Sequence, residues 1–258
     1  MAAPLTADQL VKALTAEGLT VHEVRSWRTH NRNSKGAWGP LNGVMLHHTA
    51  SAVGEAVSVT VARCYDGRSD LAGPLCHGVI DRRGEVWLVG NGRANHAGGG
   101  DGAVLNEVIA ESYGTKPPAT RQHEGSTGAV DGNARFYGFE CINAGDGSDP
   151  WPDAQVQAMA KAATAICRAH GWTEKSTIGH LEWSDWKPDP RGAAVAMPTL
   201  RGYIAAALGK KPGEWRLKAP APAPAPSSPT ASELLAVVEK THKTLGDQIA
   251  ALRKKIGA

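Results

Sequence analysis

Residues 43–50 read Gly-Val-Met-Leu-His-His-Thr-Ala, a short apolar run that ends in two histidines and a threonine. Such a run predicts a buried strand that delivers polar groups at its C-terminal mouth. Side chains alternate across a strand, so His47 and His48 point to opposite faces and only one of them serves a given site. A lone histidine in this setting is more often satisfied by backbone in the core than used as a ligand. A second set of donors downstream changes that reading. Ser176-Thr177-Ile178-Gly179 is another short strand that stops at His180, and Asp189 follows nine residues later between Pro188 and Pro190, which stiffen the backbone around it. Two imidazoles and one carboxylate form a ligand set for zinc with one coordination position left open, the arrangement of a hydrolytic rather than a structural ion.

A carboxylate of a different kind is Glu140, set in Phe136-Tyr137-Gly138-Phe139-Glu140-Cys141-Ile142. An unpaired carboxylate in so apolar a strand is unfavourable. Glu140 is therefore expected either to work as a general base or acid with a raised pKa, or to be paired with an arginine such as Arg93. Lys187 lies two residues before Asp189. Beside a metal it offers a fixed positive charge to an oxyanion forming on an attacked carbonyl, whereas taken alone it is an ordinary surface lysine.

For these groups to meet, strands and helices must alternate so that several strand ends share one rim of a sheet, which places the chain in the α/β class. Thr6 to Glu17 opens with a capping signal, puts Leu10, Val11 and Leu14 on one helical face, and is stopped by Gly18. Val21 to Val24 reads as an edge strand, followed by a polar loop from Trp27 to Gly39. Ala56 to Cys64 predicts a helix with Val57, Thr60, Val61 and Cys64 inward, against the β-branched content of the segment. Cys76 to Asp81 and Glu85 to Val89 around Arg82-Arg83-Gly84 predict a hairpin. Asn95 to Gly100 is too glycine-rich for regular structure, and Glu111 to Asn133 reads as a long surface loop with little order of its own. From Pro152, apolar residues at Val156, Met159, Ala160, Ala163, Ile166 and Cys167 recur at helical steps up to Gly171. A loop from Leu181 to Gly192 leads to a final helix near Thr199 to Leu208.

Composition then changes. Three segments are expected: a catalytic domain over 1–218, a largely alternating Ala-Pro spacer over 219–231, and an amphipathic helix over 232–258 with five cations against three anions. That helix is too short to bury a core alone and reads as a solvated tail, a self-associating coil or a wall-docking element. The net charge of +3 suits an anionic polymer but lacks the dense basic stripe of a nucleic-acid binder. No apolar run approaches membrane-spanning length, and the N-terminus has no secretory pattern, so synthesis in the cytoplasm is expected. Cys64, Cys76, Cys141 and Cys167 are widely spaced and read as free thiols.

Taken together, His47-His48-Thr49-Ala50, the Cys76 to Val89 hairpin, Asn95-His96-Ala97-Gly98, Gly138-Phe139-Glu140, and Gly179-His180 followed by Lys187-Pro188-Asp189-Pro190 resemble the type 2 zinc N-acetylmuramoyl-L-alanine amidases. The resemblance covers roughly residues 20–208. It implies the peptidoglycan recognition protein fold, a central mixed sheet flanked by helices. It also implies a Zn2+ ion on His47, His180 and Asp189, Glu140 as the catalytic glutamate and Lys187 as the oxyanion lysine. His96 would line the substrate groove without binding metal, with Asn95, His48, Thr49 and His77 as further substrate contacts. Cys76 stands where some phage members carry a catalytic tyrosine, which leaves the proton transfers to Glu140. The implied reaction is hydrolysis of the amide between N-acetylmuramic acid and L-alanine in peptidoglycan. The tether and the missing secretory pattern resemble endolysins of phages that infect actinobacteria. A cytoplasmic muropeptide-recycling amidase and a non-catalytic peptidoglycan-binding module are the alternatives.

Overall fold

Six strands build the sheet that carries the candidate site. Their order is Val21–Glu23, Val86–Leu88, Gly78–Ile80, Phe136–Cys141, Gly43–His48 and Thr177–Gly179. All neighbouring pairs are parallel except the Gly78–Ile80 and Val86–Leu88 hairpin, so the sheet is mixed. The computed structural model describes residues 2–217 and 231–257.

The register brings the chemistry together. Phe136–Cys141, Gly43–His48 and Thr177–Gly179 run side by side in the same direction, so their C-terminal ends share a rim. His47 is opposite Glu140, and residues so paired project from the same face of a sheet. Gly179 is opposite Leu46, which makes His180 leave the sheet at the level of His47.

Alternation then decides which side chains reach which layer. Val44 and Leu46, with Tyr137 and Phe139, enter the larger core together with Leu10, Leu14, Met159, Ile166, Leu200 and Ile204. Met45, Phe136 and Ile178 face the other way and pack on Val104, Leu105, Val108 and Trp183. His47 and Glu140 continue that second face.

On the first face, helix Asp153–His170 runs through the centre of the layer. The expected apolar positions Val156, Met159, Ala160, Ala163, Ile166 and Cys167 are all buried. Burial extends to Gln155 and Lys161, whose amide and ammonium donate to the carbonyls of Ile80 and Ile142 and of Glu17. Helix Ala7–Ala16 begins with the expected cap, Thr6 exchanging hydrogen bonds with Gln9 in a capping box. Helix Met197–Leu208 completes that layer, and helix Val57–Asp66 buries Thr60, Val61 and Cys64 as expected.

Three features depart from the reading of the sequence. Gly102–Ala110 is a helix, capped by the Asp101 carboxylate, which accepts from the Ala103 amide at 2.9 Å. The segment after His180 begins with a helical turn, His180–Trp183, rather than a loop. The stretch from Glu111 to Asn133 is also more ordered than expected, because Val130–Asp131 pairs with Gly99–Gly100 and Asn133 is buried.

The chain divides into two units, Met1–Leu217 and Lys218–Ala258. In the second, Ala231–Ile256 is helical. Apart from Ala231, which begins that helix, the expected Ala-Pro spacer lies outside the described residues. Among the described residues no helix is long and apolar enough to cross a membrane.

Candidate active site

His47, His180 and Asp189 meet at the strand mouth, all buried, with one donor atom from each lying within 4.8 Å of the others. The Nδ1 atoms of the two histidines are 3.0 Å apart, and Asp189 Oδ2 lies 3.0 Å from one and 3.2 Å from the other. The Leu181 amide donates to the Asp189 carbonyl at 2.7 Å, closing the loop from the first ligand-bearing turn to the second. Arg201 holds that turn from below through Glu182 and the Thr177 carbonyl.

The hydrogen bonds around the trio fix what its inner atoms carry. His180 Nε2 lies 3.1 Å from the Ala97 carbonyl, which can only accept, so its proton sits on Nε2 and Nδ1 presents a lone pair. His96 Nε2 faces the Phe136 carbonyl at 3.2 Å, so His96 Nδ1 accepts, and the donor at 3.1 Å from it is His47 Nε2. His47 Nδ1 therefore also turns a lone pair inward. Burial lowers the His47 pKa to about 4, favouring the neutral ring. Burial works to raise the Asp189 pKa, yet the two imidazoles beside it hold it below the usual carboxylate range, so the group is an anion. Two lone pairs and an anion converging without a proton between them repel one another unless a cation joins them. The donor set, two imidazole nitrogens and one carboxylate oxygen, fits Zn2+.

Glu140 sits one strand over. The side chain is only half-buried overall, yet Oε2 is shut from solvent and has no hydrogen-bond partner among the described residues. Burial, then the neighbouring Cys64 and Asp189, push its pKa well above the ordinary value, against the opposing charges of Lys187 and Arg68. The pairing with Arg93 does not occur, because Arg93 is bound to Asp131 at 2.7 Å. Lys187 is exposed and lines a cavity of about 430 Å³ beside the trio, together with His180, His96, Asn95 and Trp186. A second cavity, of about 480 Å³, lies behind the loop against Pro117, Pro118, Pro188 and Pro190 and receives none of the three ligand side chains.

The structure divides the expected substrate contacts. His96 and Asn95 line the groove. His48 projects from the opposite face, where its Nδ1 accepts the Arg191 amide at 3.2 Å, and the Thr49 hydroxyl ties the strand end to the backbone of Asn143. His77 is fully buried, its Nε2 bonded to the Gly92 carbonyl at 2.8 Å and its Nδ1 accepting the Gly138 amide at 2.8 Å. It bridges the hairpin to the Glu140 strand and presents no polar atom to the groove. Gly138, between His77 and His96, allows this packing, since a Cβ there would fall 2.5 Å from the His96 ring.

Two groups escaped the sequence. Asn133 Oδ1 accepts the amides of His96, Ala97 and Gly98 at 2.9, 2.9 and 3.3 Å and so shapes the whole His-Ala-Gly loop. Trp186, 66% exposed at the groove edge, is stacked on His123, whose ring is held by Asp185 at 2.8 Å. Its place immediately before Lys187 is the only sequence signal it offers. The four cysteines are free and buried.

The neutral buried histidines make stability depend on pH in the metal-free protein. Burial lowers His77 to about 4, and the Gly138 amide that donates to its Nδ1 favours the neutral ring as well. Above the unfolded value near 6.5 neither state holds the proton; below it the unfolded chain takes the proton first, and stability declines until about pH 4. The fall corresponds to about 3 kcal/mol. His47 titrates in the same sense and Glu140 in the opposite one, so the comparison that isolates His77 is with His77→Gln. That variant is expected to lose less stability than the parent between about pH 7.5 and about pH 5 in urea unfolding. Parallel losses in the two chains would contradict the assignment.

Residues 37–192 match the N-acetylmuramoyl-L-alanine amidase family Amidase_2. This chain belongs to that family. Among solved structures it is similar to the endolysin N-acetylmuramoyl-L-alanine amidase LysCS from Clostridium intestinale URNW (15% identity, 67% of this chain and 90% of that one, TM-score 0.42). It is also similar to the Ph2119 endolysin from the Thermus scotoductus MAT2119 bacteriophage Ph2119 (17% identity, 74% and 99%, TM-score 0.42). A third similarity is to Drosophila peptidoglycan recognition protein SD (14% identity, 67% and 89%, TM-score 0.40). These likenesses are distant, and the family assignment rests on the match over 37–192. A comparison with curated protein sequences gives no match.

Proposed function

We propose that the chain is a zinc-dependent amidase that hydrolyses the bond between N-acetylmuramic acid and L-alanine in peptidoglycan, and that it acts as a phage endolysin, held in the host cytoplasm until lysis. The observation that carries this reading is the convergence of two imidazole lone pairs and a carboxylate at the mouth of a groove. When bound, zinc supplies Lewis acidity at the scissile carbonyl and eases deprotonation of water. Glu140 has high proton affinity and a free carboxylate oxygen. It takes the proton of the attacking water and passes it to the departing amine, which balances the reaction. Lys187 places positive charge beside the carbonyl oxygen as it becomes an oxyanion. His96 holds His47 in the tautomer that turns Nδ1 inward, and with Asn95 contacts the muramyl peptide.

The presence of all three donors favours an enzyme over a binding module. The cationic helix beyond the Ala-Pro tract favours an insoluble polymer over the soluble fragments of a recycling amidase. Purified cell walls and a soluble muropeptide, each with and without chelator, separate the readings. Walls are expected to clear with release of new alanine amino groups, to lose clearing on chelation and to recover it with zinc. Cleavage of the soluble fragment alone would identify a recycling enzyme, and wall binding without cleavage a recognition module.

A further inference from the structure

We propose that helix Ala231–Ile256 pairs with the same helix of a second copy of this chain as a parallel, in-register two-stranded coiled coil. This inference is independent of the amidase reading. Steps of three and four alternate without interruption through Leu235, Val238, His242, Leu245, Ile249, Leu252 and Ile256. The apolar members of this seam are between 50% and 75% exposed, and no described side chain of the 26-residue helix is buried. A helix of that length takes most of its stability from packing one face, so the exposed seam requires a partner.

The repeat itself identifies the partner. A straight helix drifts about 20° per heptad from a 3.5-residue repeat, so a stripe kept over three heptads stays buried only against a helix that supercoils with it. A lipid surface needs a broad apolar arc and no such repeat. In the last two heptads Ile249 and Ile256 occupy one seam position and Leu245 and Leu252 the other, the β-branched and Leu combination that favours two parallel strands, while Leu235 and Val238 carry the reverse order in the first. Beside the seam, a parallel pair places Gln248 against Arg253 and Leu234 against Glu239 of the second copy and opposes no like charges. His242 is the single polar seam residue, and in register it meets its own counterpart, which penalises shifted alignments. Joining two catalytic units on one polymer raises retention on the wall by effective concentration, with no new contact at either site.

Sedimentation equilibrium of the full chain at micromolar concentration is expected to give twice the monomer mass. The Leu245→Glu, Leu252→Glu double variant is expected to sediment as a monomer, its association weakened by more than about a thousandfold. Its turnover of a soluble muropeptide should match the parent while wall clearing at low enzyme concentration falls. Gly257→Cys chains should form a covalent dimer with oxidised glutathione, because parallel strands bring the two ends together. A monomeric parent, a trimer, a double variant that stays dimeric, or no Gly257→Cys cross-link would each overturn the proposal. So would a monomeric parent that loses wall pelleting in the double variant, which would identify a wall-docking helix. If both chains prove inactive as amidases, the masses still decide the question.

Discussion

Exchanging His180 for alanine is expected to remove bound zinc and wall hydrolysis together, with the rate of amine release falling at least about a thousandfold, the scale of a lost Lewis acid. The size of the effect follows from the geometry. His180 contributes one of only two imidazole nitrogens, and its Nδ1 lies about as close to Asp189 as His47 Nδ1 does, so no other described nitrogen of the cluster is placed to replace it. Asp189→Asn should act in the same direction by removing the anion that balances the cation. Zinc per chain, measured by emission spectroscopy beside the rate, separates this account from a folding defect. A soluble variant with native circular dichroism, no zinc and no activity is the expected result. Full activity in zinc-free protein would contradict it. Metal should also stabilise the parent by mass action, since it binds only where the fold has gathered the donors, and this increment should vanish in His180→Ala.

Glu140→Gln is expected to lower turnover by about a hundredfold to ten-thousandfold while zinc content stays at the parental level. Glutamine keeps the shape of the side chain in a tightly packed strand, so the change tests proton transfer rather than packing. The carboxylate is one strand from His47 in direct register, half-buried, with one oxygen that meets no donor among the described residues. A group left so unsatisfied is poorly explained by stability alone. The sign of the pH effect is fixed as well. A base must be deprotonated, so activity in the parent should rise with pH through the pKa of Glu140, and that acidic limb should flatten in the variant. Unchanged turnover, or an unchanged acidic limb, would assign the proton transfers elsewhere.

Much of this arrangement was legible in the sequence because its signals are local. The apolar run before His47 marks a strand, its alternation separates His47 from His48, and Thr6 signals the cap that starts the first helix. Helix Asp153–His170 announced itself through periodicity and the left-handed Gly171 at its end. What the sequence concealed depends on contacts between distant segments. The Gly102–Ala110 helix is short, opens on glycine, and is held by an aspartate whose other oxygen accepts from Arg121. Residues 111–133 look like free loop because their order comes from single side chains such as Asn133 and Glu124 reaching backbone amides of 96–99. His77 shows the limit most clearly. Beside Cys76 at the hairpin entry it reads as a groove residue, yet the two backbone groups that satisfy it come from Gly92 and Gly138.

Zinc K-edge absorption spectroscopy on the zinc-loaded full chain tests the central claim most directly. One ion is expected, with nitrogen and oxygen neighbours only, two of them imidazoles, and a set of neighbours that loses an imidazole or disappears in His180→Ala. Sulfur in the first shell, or a spectrum that His180→Ala leaves unchanged, would place the metal elsewhere and contradict the account.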